Sequence, residues 1–147
     1  MAHPVLAAKD ALRAILDARP AWNYVEFRDA PPTETEDVSH TGDAFWWEAV
    51  EVPEDGWASL GARGRRLTFR IGFSIVVIET GDDSRTPEEV AWNLYEDLEL
   101  AIKANPTLNN TVRQVTGLTG RQGNGVYAPS KWQSAFSGAI TCLSNDY

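Results

Sequence analysis

Apolar residues recur along the first stretch of the chain at three- and four-residue spacing. Val5, Ala8, Leu12, Ile15 and Leu16 fall on one face of a helix. Pro4 suits its first position, where a missing N–H has no partner to lose, and Arg19-Pro20 stops it. The same period returns at Val90, Ala91, Leu94, Leu98, Ala101 and Ile102. Thr86-Pro87-Glu88-Glu89 ahead of it reads as a capping box with proline at N1, and Asn105-Pro106 ends this helix near Ala104. Trp92, Glu96, Glu99 and Leu100 lie on its other side.

Between and after the helices the period is that of strands. Trp22 to Phe27 is a short one. Phe45 to Val52 is a second, with Trp46 and Trp47 on opposite faces. Pro53 to Gly64 holds three glycines and reads as a turn region. Leu67 to Glu79 is a long strand whose first half has one apolar face and whose second half is apolar on both. It would span about 43 Å, so it must bend, with Gly72 the candidate, or project from the body. Thr111 to Thr119 and Trp132 to Leu143 close the pattern, and Trp132, Phe136, Ile140 and Cys142 share one face. Gly120 to Gly125 reads as a hairpin turn between them. Strands joined locally pair antiparallel. The expected fold is therefore α+β: a mainly antiparallel sheet of about five strands with two helices packed on it. The order is α-β-β-β-α-β-β, with a long projecting hairpin, in one domain over residues 1–147.

Composition narrows the class. With 147 residues, 43% of them hydrophobic and six tryptophans, the chain can bury a core without a metal or disulfide staple. The longest apolar run, Ile75 to Ile78, is far too short to cross a membrane. The N-terminus lacks a signal-peptide layout, so the expectation is the cytosol of the producing cell. The net charge of −8 excludes a protein that holds DNA by neutralising phosphates. The charge is uneven: residues 1–99 carry nine basic and twenty acidic side chains, residues 100–147 four basic and one acidic. Asp29 to Asp43 contains Pro31-Pro32 and no lysine or arginine, and reads as an exposed acidic loop.

Candidate chemistry is thin. His3 lies near the chain start and His40 in the acidic loop, and neither place suits a held catalytic base; both read as solvated imidazoles. Cys142 lies on an apolar strand face with no basic residue near it in sequence, the setting of a small packed hydrophobe. Gly120-Arg-Gln-Gly-Asn-Gly125 lacks the Lys-Ser/Thr of a phosphate loop. The arginines of Gly61 to Arg66 read as salt-bridging or subunit-facing. Glu34, Glu36, Asp37 and Asp43 lack calcium-loop spacing, and Glu79, Asp82 and Asp83 sit in a strand-to-helix connection. No cofactor fingerprint is present. The expectation is no cofactor and no enzyme, and a binding or structural role.

Three stretches carry a resemblance. One is the opening His-Pro-Val-Leu-Ala-Ala-Lys-Asp-Ala-Leu helix. The others are the strand Arg-Leu-Thr-Phe-Arg-Ile-Gly-Phe-Ser-Ile-Val-Val-Ile-Glu-Thr and the helix Thr-Pro-Glu-Glu-Val-Ala-Trp-Asn-Leu-Tyr-Glu-Asp-Leu-Glu-Leu-Ala-Ile, followed by two strands. In order and texture, from Val5 to Leu143, the chain resembles the tail terminator (tail completion) proteins of long-tailed bacteriophages, especially those of actinobacteria. The resemblance implies a virion protein that assembles in the host cytoplasm. Its homohexameric ring caps the head-proximal end of the tail tube, ends tube polymerisation and meets the head connector, while DNA passes through. Its partners would be itself, the tail tube protein and the connector proteins.

On that reading Trp92, Leu100, Arg63, Arg65, Arg66 and Arg70 face neighbouring subunits, with Arg63 to Arg70 near a projecting hairpin. Glu34, Glu36 and Asp37, in the acid-rich span Glu34 to Asp55, would line the channel. A neck, connector or tube subunit is the alternative within the class. A small-ligand-binding α+β domain or enzyme is the alternative outside it, and would need a pocket with convergent polar groups.

Overall fold

The structure, a computed structural model, describes residues 3–30, 42–57, 65–81, 83, 85–128 and 131–145. Helix α1 spans Pro4–Asp17 and a 3-10 turn spans Pro20–Trp22. They are followed by β1 (Val25–Arg28), β2 (Gly42–Trp57), β3 (Arg65–Thr80), α2 (Arg85–Ala104), β4 (Val112–Ala128) and β5 (Lys131–Ser144).

The helices form where the spacing places them. Val5, Ala8, Leu12 and Leu16 of α1 are buried, as are Ala91, Leu94, Leu98, Ala101 and Ile102 of α2. His3 is not a free imidazole: its Nδ1 accepts the Val5 N–H at 3.2 Å and caps α1. The start of α2 also differs. The helix already includes Arg85, and Glu89 takes the Arg85 guanidinium at 3.1 Å instead of reaching back to Thr86. In place of the expected capping box, Asp83 Oδ1 accepts the Arg85 N–H at 3.1 Å, and Arg85 and Glu89 form an exposed ion pair one turn apart.

One five-stranded sheet runs in the order β1-β2-β3-β5-β4. Its class is the expected one, with three of the four pairings antiparallel. The exception is β1, which pairs parallel to β2 through Val25↔Asp43 to Arg28↔Trp46. Local succession suggested antiparallel pairing. The chain between these strands is long enough for the crossover that a parallel pair requires.

Two expected turns are strand. Segment 53–56 continues β2, because the register with β3 slips between Trp47 and Val50 and again between Glu51 and Glu54. Each slip inserts one extra residue, and Pro53 falls in the second bulge, a place where a sheet tolerates proline. Gly120 to Gly125 is likewise strand, pairing from Gly120↔Gly138 to Gly125↔Gln133. Gly72 faces the first bulge. A side chain there would bring its Cβ to 2.7 Å from the Ala49 carbonyl oxygen and 2.9 Å from Glu48 Cβ.

The core lies between the helices and one face of the sheet. Phe45 stacks on Phe73 at 5.8 Å and meets Trp47 edge-on at 5.0 Å and Trp22 edge-on at 5.8 Å. Phe69, Ile71, Ile75 and Val77 line the same face of β3. On the opposite face Ala44, Ser74, Val76 and Ile78 are buried too. At one end of the sheet Arg65 and Arg66 run past Ser144, whose hydroxyl takes the Leu67 N–H at 2.7 Å. The β2–β3 pairing continues past this point to Trp57↔Arg65, and residues 58–64, where the projecting hairpin is expected, lie outside the described residues.

Candidate assembly surface

Helix α2 has two flanks, and they do different things. On the flank toward α1, Asp97 accepts Arg19 through Nε and Nη2, both at 2.8 Å, and the Trp22 indole N–H at 2.8 Å. The Arg19 hydrogen bonds hold the Asp97 carboxyl below its ordinary value against the opposing effect of burial, and the Trp22 donor adds to them. The Asp97 carboxylate in turn raises the Arg19 guanidinium. This clamp fastens the 3-10 turn to α2 across 78 positions of sequence. Sequence reading passed over it. The available signal was a carboxylate at 97, next to the core position Leu98, three residues after Leu94 and four before Ala101.

The other flank carries aromatic rings. Tyr95 stacks on Phe136 with centroids 4.6 Å apart, and Trp92 meets Phe136 edge-on at 4.7 Å. The Tyr95 ring lies over Gly120, where a Cβ would come within 2.6 Å of Cε2. That contact gives Gly120 a packing reason. Burial, with the Glu99 charge, raises the Tyr95 hydroxyl above its ordinary value. Despite its contact with Phe136, Trp92 remains 44% exposed, and Leu100 is 56% exposed. Below Tyr95 the space between α2 and β4 opens into a groove of about 350 Å³, lined by Ile102, Val115, Leu118, Glu99 and Lys103.

Of the charged candidates, only Arg66 and Arg70 are described with their side chains. Arg70 is exposed and lies 3.7 Å from Glu51 of its own chain, so its first carboxylate partner is internal. Arg66 is half-buried and engaged within the chain. Arg65 begins β3. Arg63, Glu34, Glu36, Asp37 and His40 lie outside the described residues. On the sheet face away from the helices, Glu48 accepts both the Trp46 indole N–H at 2.7 Å and the Ser74 hydroxyl at 2.8 Å. A shallow groove of about 460 Å³ lies beside it, between Arg70, Gly72 and Thr119. Cys142 is fully buried and its thiol is pushed up to about 12 by burial, which keeps it an unreactive packed group. Among the described residues no three His, Cys, Asp or Glu side chains converge to hold a metal ion. No described helix is long and apolar enough to cross a membrane.

No known protein family matches the chain, and no curated protein matches it. Among solved structures it is similar to a chain of the "Virion of native gene transfer agent (GTA) particle". The likeness is distant: 12% identity and a TM-score of 0.42, over 92% of this chain and 94% of that one.

Proposed function

We propose that this chain is a tail terminator subunit, a structural virion protein. On this reading its copies form a homohexameric ring that caps the head-proximal end of a phage tail tube. The ring ends tube growth and joins the tail to the head connector, with DNA passing through the opening. The observation that carries the reading is the order α1-β1-β2-β3-α2-β4-β5, the order on which the sequence resemblance rests. Two features support it. Trp92 and Leu100 stand exposed on α2, and large exposed apolar side chains mark contact surfaces. Six copies at −8 each would give a ring that repels the duplex it conducts. The reading assigns the chain no catalysis and no cofactor. Its location would be the host cytoplasm during assembly and then the tail of the particle.

The test is negative-stain microscopy of the purified protein, followed by its addition to polymerising tail tube protein. Six-membered rings that cap tubes and halt their growth are expected. Rings that stack without limit would instead make it a tube subunit. Uniform 16.2 kDa particles that saturate with a small ligand would overturn the assembly reading altogether.

A further inference from the structure

Among the described residues the sheet has an open edge on each side, and the two differ. β1 is four residues long, whereas β4 is 17. A long open edge is a template for another strand, and proteins usually blunt it with proline, lysine or bulges. The register slips of β4 fall near its ends, at Val112/Gln114, Val115/Gly117 and Val126/Ala128. From Leu118 to Val126 its pairing with β5 is uninterrupted. That stretch holds one charge, Arg121, and no proline or lysine. At Gly123 and Gly125 the space a Cβ would enter is open.

Charge and strand direction say what fits there. Residues 112–145 contain Arg113, Arg121 and Lys131 and no carboxylate. Arg113 and Arg121 have no ion-pair partner among the described residues. Two β4 strands laid against each other would oppose like charges, which disfavours that pairing. The β1 side offers Glu26, about half exposed and held by Arg28 at 3.1 Å, and Asp29, 90% exposed. Within the sheet, β1 is parallel to β2, and three antiparallel steps then leave β4 running opposite to β1. Copies related by rotation about an axis along the strands therefore bring β4 of one beside β1 of the next in antiparallel sense.

The side-chain faces agree as well. Gly120 lies under Tyr95 on the helix side, so Arg121 points to the other face. Val25 is buried and Phe27 packs on Phe45 in the core, so Glu26 points to that same other face. With Glu26 set opposite Arg121, antiparallel counting places Tyr24, 92% exposed, over Gly123. There a ring would cover a backbone that has no side chain of its own.

We propose that the free edge of β4 is the docking site for β1 of a second copy, joined antiparallel with Glu26 beside Arg121 and Tyr24 over Gly123. The proposal rests on the ring reading above and names the contact that closes the ring. Head-to-tail contacts of this kind generate closed rings when the rotation closes.

The test compares wild type, Glu26→Lys, Arg121→Glu and the double reversal by sedimentation velocity, with circular dichroism to confirm the fold. Each single reversal should weaken self-association about tenfold or more, and the double should recover most of it. A second chain carrying Tyr24→Cys and Gly123→Cys together should give, on oxidation, a ladder of cross-linked copies ending at the closed ring. The buried Cys142 does not compete. Rings that form normally in all charge variants and do not cross-link would overturn the edge pairing and leave the ring standing. Cross-linking of Gly123→Cys alone would replace it with β4 against β4. A wild-type chain that stays monomeric at every concentration would overturn both.

Discussion

Replacing Asp97 with alanine tests whether the α2 clamp holds the N-terminal part of the chain to the core. The carboxylate receives three hydrogen bonds, two from Arg19 and one from Trp22. A hydrogen bond to a charged group is worth roughly 1.5–3 kcal/mol, but three into one carboxylate do not add. The Arg19 and Asp97 side chains are 30% and 19% exposed, so water recovers part of what the arginine loses. Trp22 is buried and recovers nothing, and its orphaned indole N–H costs about 1–3 kcal/mol. The expected net loss is about 2–4 kcal/mol, or a fall in Tm of roughly 5–15 °C for a chain of this size.

Urea denaturation of Asp97→Ala, Arg19→Met and the double variant closes a mutant cycle, and its coupling term should exceed about 1 kcal/mol. The pH dependence gives a second readout. The folded-state pKa of Asp97 is depressed, so its contribution is complete above the ordinary carboxylate range and is lost as pH falls through the folded value. Wild type should therefore lose more stability than Asp97→Asn between about pH 5 and pH 2. A loss below about 0.5 kcal/mol in Asp97→Ala, or additive singles, would refute the clamp.

Three further outcomes follow from the geometry. Gly72→Ala should cost about 1–3 kcal/mol in denaturant titrations because its Cβ meets the backbone of the β2 bulge, whereas Gly123→Ala, with open space, should be within about 0.5 kcal/mol of wild type. Trp92→Ala with Leu100→Ser should leave the circular dichroism spectrum intact, lower Tm modestly through the lost Phe136 contact, and weaken self-association in sedimentation; unchanged association would remove this face from the interface. Cys142 should resist an aromatic disulfide reagent at pH 8 in the native state and react on unfolding; fast native labelling would contradict its burial.

Helices and element order were legible in sequence because a 3.6-residue period reports a local property, the face each side chain must turn to the core. Val5 to Leu16 and Ala91 to Ile102 show it directly. The two apolar faces in the second half of β3 were legible for the same reason, and Val76 and Ile78 are indeed buried opposite Ile75 and Val77. Exposure of Trp92 and Leu100 also followed from helical phase.

Pairing was not legible, because it depends on which distant residues meet. An alternating pattern looks the same in a parallel or an antiparallel strand, so the direction of β1 against β2 emerged only from the fold. Pro53 and the glycines from 120 to 125 carry turn chemistry when read locally. A bulge tolerates the first, and the Tyr95 ring over the sheet accounts for Gly120. Asp97 finds Arg19 and Trp22 only once α2 and the 3-10 turn share the same core. β4 becomes an open edge only because β5 takes the place beside β3. Local free energies select the elements. Long-range burial, which no window of neighbouring residues contains, decides their partners and so which edges and faces remain for another molecule.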